Sequence, residues 1–172
     1  MDGTLALIFL ITSLTDMGVN DCRSGGCLQQ GDAVARVSLQ AANVIFQEDH
    51  ISEEIYVGYD MNRQYGPFQP TFAASVTGEG ATWVGAGAKW TSRRISEGPF
   101  FFEASVMPGL YARGDGPDLG GNLQFRSAVG GGYTFDNGAT LSVLYDHRSN
   151  ADTNDVNPGL ETIAIRYAFA LN

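Results

Sequence analysis

The chain has 172 residues, with 22 glycines, 11% aromatics and a formal charge of −9 from 19 acidic and 10 basic side chains. That length holds one domain, and 44% hydrophobic residues exclude a disordered chain. The acidic balance, with no basic stripe, excludes nucleic acid as a partner, while abundant glycine and aromatics favour strands over helix bundles.

The first predicted element is an apolar run, Leu5 to Leu14 (LALIFLITSL). It is too short to cross a bilayer as a helix, which needs ~20 residues. Its length fits the hydrophobic region of an export signal, although Asp2 and no Lys or Arg precedes it, and no clean cleavage site follows. Residues 1–20 are read as a candidate signal sequence, 21–32 as an unstructured lead-in and 33–172 as the domain. Cys22 and Cys27 fit no zinc site, because no second Cys/His pair accompanies them. A small-loop disulfide in an oxidising compartment and two unremarkable thiols both fit.

From Ala33 onward there is no helical period. Eight segments alternate with turn signals, at 34–46, 53–61, 67–78, 80–92, 99–112, 121–135, 138–149 and 159–170. In the seventh, Leu141, Val143 and Tyr145 share one parity; in the eighth, Ile163, Ile165, Tyr167 and Phe169 do. The opposite parity is small or polar. A soluble sandwich would turn the large face inward, whereas an outer-membrane barrel turns it into lipid and fills its lumen with small and polar groups. Charge on the small face (Glu103, Arg126, Arg166), aromatics near strand ends and the closing Ile-x-Ile-x-Tyr-x-Phe favour the barrel. The expected fold class is therefore all-β, an eight-stranded antiparallel transmembrane barrel of the bacterial outer membrane, closed without a free edge. Asp136-Asn137-Gly138 reads as a tight periplasmic turn, and the loops Arg113–Gly120 and Asn150–Pro158 as extracellular.

Extending the alternation reaches chemistry. Leu141, Val143 and Tyr145 lead on to His147 and Ser149, and Ile163 leads back to Glu161. All three polar groups then lie on the lipid-facing parity near the extracellular rim, where ionisable groups are costly and mark function. A base, a hydroxyl and a carboxylate in that arrangement make a nucleophilic triad. The Asn150 side chain or nearby backbone N–H groups are the candidate donors to an oxyanion. The plainer reading is a chance His-x-Ser whose polar groups sit at headgroup level.

Other features carry less. His50, in the acidic Gln47–His50 stretch, reads as part of a solvated loop rather than a metal ligand. Asp115, Asp118, Asp152 and Asp155 decorate the long loops, where divalent ions bridging to lipid phosphates are the sharper reading. Gly130-Gly131-Gly132 lacks a phosphate-loop lysine and reads as a place where a strand bends or a side chain packs over. Trp83, Trp90 and Phe100–Phe102 read as lipid-facing or interfacial aromatics.

His147-Arg148-Ser149-Asn150, then Asn157-Pro158-Gly159-x-Glu161 and the closing strand, resemble the PagL family of lipid A 3-O-deacylases. So does the Gly-Leu-Tyr…Asp-Leu-Gly-Gly…Leu-Gln-Phe-Arg stretch within 109–126. The likeness is specific over 100–172 and weak before residue 53; it departs in the leader, the cysteine pair and the residues after Phe169. It implies an outer-membrane serine esterase that removes the ester-linked 3-hydroxyacyl chain at position 3 of lipid A, without cofactor or metal. His147, Ser149 and Glu161 carry over as the triad, Asn150 as an oxyanion contributor and Asn157 as site support. The implied partners are lipopolysaccharide of the outer leaflet and the surrounding membrane lipids, with monomer and homodimer both open. The competing expectations are a structural or adhesive barrel whose rim residues are incidental, and an esterase acting on phospholipid.

Overall fold

The computed structural model describes residues 3–23 and 25–171; Asp2, ahead of the apolar run, and Asn172, at the end of the expected domain, lie outside them. Eight antiparallel strands form a closed barrel: β1 Ala35–Phe46, β2 Asp49–Asp60, β3 Gln69–Thr77, β4 Thr82–Thr91, β5 Phe100–Ala112, β6 Leu123–Thr134, β7 Thr140–Ser149 and β8 Leu160–Leu171. Each pairs with its neighbour in sequence, and β8 closes on β1 from Glu161↔Ile45 to Leu171↔Ala35. Every strand therefore has two partners, which is what a sheet in lipid requires.

The alternation behaves as the sequence implies. Along β7, Leu141, Val143 and Tyr145 point outward while Thr140, Ser142 and Leu144 are buried in the lumen. Ile163, Ile165 and Phe169 do the same on β8. An outer wall of this kind matches the apolar band of a membrane barrel, about 25 Å tall. At one end Asp136–Gly138 makes the expected tight turn, closed by Phe135 N–H to Ala139 O at 2.9 Å and Gly138 N–H to Phe135 O at 2.8 Å.

Strand β2 starts earlier than expected. Gln47 and Glu48 both adopt left-handed backbone (φ 50° and 74°), which makes a two-residue hairpin whose twist suits the flanking strands. His50 consequently stands within β2, opposite Ile45, and not in a loop.

The lumen is filled by paired charge. Glu54 lies 2.6 Å from Arg148 and 2.8 Å from Arg126, and Arg126 also reaches Asp146 at 2.6 Å. Nearer the other end, Lys89 pairs with Asp60, and Arg166 Nε donates to Gln40 at 3.0 Å. Breaking such a pair by removing one member costs about 3–5 kcal/mol, because the other charge is stranded. Trp83 corrects an expectation: its indole is buried in this lumen, 5.6 Å from the guanidinium carbons of Arg126 and Arg148, and not in lipid. Gly85 and Gly109 make the slot, since a Cβ on either would fall within 2.5 Å of the ring. Phe101 is likewise turned inward under Arg93, whereas Phe100 and Phe102 are exposed on the outer wall as expected.

The N-terminal segment is built onto this wall. Helix α1 (Thr4–Asp16) runs into a single π-helical turn, Met17–Asp21, and lies against the outside of β4, β5 and β6. No helix among the described residues is long and apolar enough to cross a membrane. The stretch after α1, expected to be unstructured, is ordered. Asp21 pairs with Arg94 at 2.7 Å, Cys22 and Cys27 form a disulfide, and Gln30–Asp32 pairs with Arg63–Tyr65. The disulfide is the small-loop alternative that the sequence left open, whereas Arg94 and Arg63–Tyr65 are far away in sequence, so no local pattern announces them.

Candidate active site

Residues two apart on a strand share a face, so β7 presents His147 and Ser149 together on the outside of the barrel while Asp146 and Arg148 point into the lumen. Strand pairing sets Glu161 of β8 directly opposite His147, and cross-strand partners bring their Cβ atoms to about 5 Å. His147 Nδ1 lies 3.0 Å from Glu161 Oε1. With its proton on Nδ1 the imidazole donates to that carboxylate and keeps a lone pair on Nε2. That Nε2 is buried and has no hydrogen-bond partner among the described residues. Ser149 and His147 line one cavity of about 350 Å³, together with Phe125, Ser127, Ala151 and Asp152.

The position is outward but not open. His147 and Ser149 are 7% and 6% exposed, against 42% for Tyr145 on the same face. Cover comes from the loop after β7 and from the first turn of α1. The loop is strongly held. Asn150, fully buried, donates its Nδ2 to the carbonyls of Leu119 (3.1 Å), Gly120 (3.2 Å) and Val156 (2.7 Å), which joins the two long loops. Its backbone N–H donates to Asn157 Oδ1 at 3.0 Å, and Asn157 Nδ2 donates to Asp152 Oδ1 at 2.9 Å. Between these anchors Ala151 and Asp152 take left-handed backbone, φ 53° and 58°. Two consecutive non-glycine residues there are uncommon and tend to cluster at functional sites.

Three contributors were given no role from sequence. Ser127 stands opposite His147 on β6; the tight turn that pairs Thr134 with Thr140 sets this register, so counting back along both strands finds it. Gly159 (φ 75°) lies against the imidazole, and a Cβ there would come 2.7 Å from His147 Cε1. The helix α1 gave no such signal, because its contact with the site is purely tertiary.

A closed barrel with an apolar outer wall, carrying an enclosed imidazole, carboxylate and hydroxyl on that wall, defines the class as an outer-membrane β-barrel with a candidate active site on its lipid side. Comparison with known proteins narrows that class. A family model described as lipid A 3-O-deacylase (PagL) matches residues 44–170, and the chain belongs to this family. A crystal structure of the outer membrane enzyme PagL superposes with a TM-score of 0.60 at 19% identity, over 78% of this chain and 99% of that one. The neisserial surface protein A barrel gives 0.58 at 12% identity over 82% and 99%. A designed transmembrane β-barrel gives 0.56 at 10% over 84% and 99%. At these identities the structural matches speak to the fold alone. None of the curated proteins compared matches the chain.

Proposed function

We propose that this chain removes the acyl chain ester-linked at position 3 of lipid A by serine chemistry, with Ser149 as nucleophile, His147 as base and Glu161 as its orienting carboxylate. The observation that carries the reading is the His147–Glu161 contact at 3.0 Å, combined with a buried Nε2, without a partner among the described residues, in the cavity that Ser149 lines. Leaving a buried polar atom unpaired costs about 1–3 kcal/mol. Such a group makes sense as one that meets its partner during the reaction.

Ser149 Oγ attacks the ester carbonyl as its proton passes to His147 Nε2, and Glu161 stabilises the imidazolium through Nδ1–H. The developing oxyanion needs donors. The Asn150 side-chain amide is committed to three carbonyls, so the backbone N–H groups of Ala151 and Asp152 at the cavity edge are assigned that part. Asn150 and Asn157 support the site by holding the turn. Collapse expels the sugar oxygen, which takes the proton from Nε2 and leaves an acyl-Ser149 ester. Water, deprotonated by His147 Nε2, then attacks the acyl carbon, and collapse breaks its bond to Ser149 Oγ, which takes the proton back from Nε2 as the fatty acid leaves. One chain supplies all three groups, so the mechanism needs no second copy, and no step calls for a metal or cofactor.

The test is mass spectrometry of lipid A from cells producing the wild type or Ser149→Ala. Loss of one 3-hydroxyacyl chain is expected with the wild type only. Equal loss with both proteins, or with neither, rejects the assignment.

A further inference from the structure

Strand β6 brings to the site one side chain that the mechanism leaves idle. Along this strand Arg126 and Ala128 are buried in the lumen, so Phe125, Ser127 and Val129 take the outward parity, in line with exposed Leu123 and Tyr133. Ser127 thus sets a hydroxyl between apolar neighbours on the lipid side of the wall. A hydroxyl in such surroundings is unfavourable unless it meets a partner. That of Ser127 makes no hydrogen bond among the described residues. Ser75 of β3 shows the usual solution: it points into the lumen and donates to Glu54 at 2.9 Å.

Register puts the Ser127 hydroxyl beside the reacting groups. Ser127 pairs with His147 of β7 on one side and with Val106 of β5 on the other. His147 is therefore bracketed on one row, by Glu161 from β8 and by Ser127 from β6. Ser149 stands opposite Phe125, which makes it the diagonal neighbour of Ser127. Side chains directly opposite have Cβ atoms about 5 Å apart, and diagonal ones lie within about 8 Å. Ser127, His147 and Ser149 line one hollow, with Val106 and Phe125 as apolar strand residues beside them. These pairings are made by barrel strands alone, so removal of an N-terminal export segment leaves them in place.

The substrate supplies the matching group. In a 3-hydroxyacyl ester the chain's own hydroxyl sits two carbons from the carbonyl that Ser149 attacks, so it must lie beside the reacting bond. The β8 side of His147 is taken by its contact with Glu161. The β6 side offers Ser127, with apolar side chains around it.

We propose that Ser127 reads the 3-hydroxyl of the acyl chain being cleaved, its Oγ sharing a hydrogen bond with that hydroxyl while Ser149 attacks the carbonyl. This rests on the deacylase reading above. Ser127 moves no proton to or from the ester; bond making and breaking stay with Ser149 and His147. A chain without the hydroxyl leaves Ser127 unpaired in an apolar hollow, which is how a site built to bond a hydroxyl rejects the analogue lacking it.

The experiment offers synthetic lipid A that differs only in the chain at position 3, 3-hydroxytetradecanoyl or plain tetradecanoyl, to mature protein purified from outer membranes. Gas chromatography measures the released fatty acids, and heat-modifiable gel mobility confirms that each variant is folded. The wild type should release the hydroxylated chain about tenfold faster or more. Ser127→Ala should bring the two rates to parity, whereas Ser127→Thr, which keeps a hydroxyl, should hold the preference. A wild type that releases both chains equally overturns the assignment. So does a Ser127→Ala variant that keeps the wild-type ratio or loses both activities together, and so does a Ser127→Thr variant that behaves as Ser127→Ala. A wild type that releases neither chain fails the deacylase reading itself, and the role of Ser127 with it.

Discussion

On the inner face of β7, Asp146 and Arg148 are each held by an opposite charge, at 2.6 Å to Arg126 and 2.6 Å to Glu54. On its outer face, His147 has one ring nitrogen engaged and the other without a partner among the described residues. The same ten residues thus serve two economies of polarity. Inside, where charges cannot reach water, pairing holds the strand in place. Outside, the proposed mechanism gives to the reaction the buried atom that has no partner among the described residues. On the proposed mechanism, the lumen fixes the site's coordinates while contributing no reacting group.

That contrast can be broken from either face. The largest effect belongs outside: His147→Ala should lower turnover as severely as Ser149→Ala, by about 10⁴–10⁶-fold, and the double variant should be no worse than either single, because triad members act as a unit. Deacylation of purified lipopolysaccharide measures this; an additive double variant would show that the two residues act independently. Next comes a change inside. Glu54→Ala strands Arg126 and Arg148 and should destabilise the barrel by about 3–5 kcal/mol, read as a lower urea midpoint in detergent, while the folded fraction keeps its triad. A large loss of turnover at unchanged stability would instead give Glu54 a catalytic part. The smallest change is Gly159→Ala. The added methyl, 2.7 Å from the imidazole as it now stands, should shift His147 and cost about 10²-fold, the scale of a misplacement of about 1 Å. KM should barely move, while the left-handed backbone at Gly159 (φ 75°) makes the methyl lower stability by about 1–2 kcal/mol, read as a lower unfolding midpoint.

Much of this was legible in the chain. Period-two alternation gave the barrel and its outward face, and continuing it from Tyr145 and back from Ile163 brought His147, Ser149 and Glu161 to one surface. It worked because residues in a strand have only two directions to choose from. Trp83 was misread because its neighbours Val84, Gly85, Ala86 and Gly87 are apolar or small on both parities, so nothing marked the side with room. Ala151 and Asp152 gave no warning of left-handed backbone, which loop closure through Asn150 and Asn157 imposes. The apolar run of α1 was visible as a run. Its seat was not, since Trp90 and Arg94 lie over 70 residues away from Asp16 and Asp21.

Alternation along β7 also ties catalysis to assembly. A slip of one residue against β6 and β8 would turn Asp146 and Arg148 into lipid and His147 and Ser149 into the lumen. It would strand two charges and dismantle the candidate active centre in one movement. A barrel closed out of register is therefore both unstable and silent. Turnover of lipid A becomes a readout of correct insertion, able to report misassembled copies in a living membrane that a count of protein would miss.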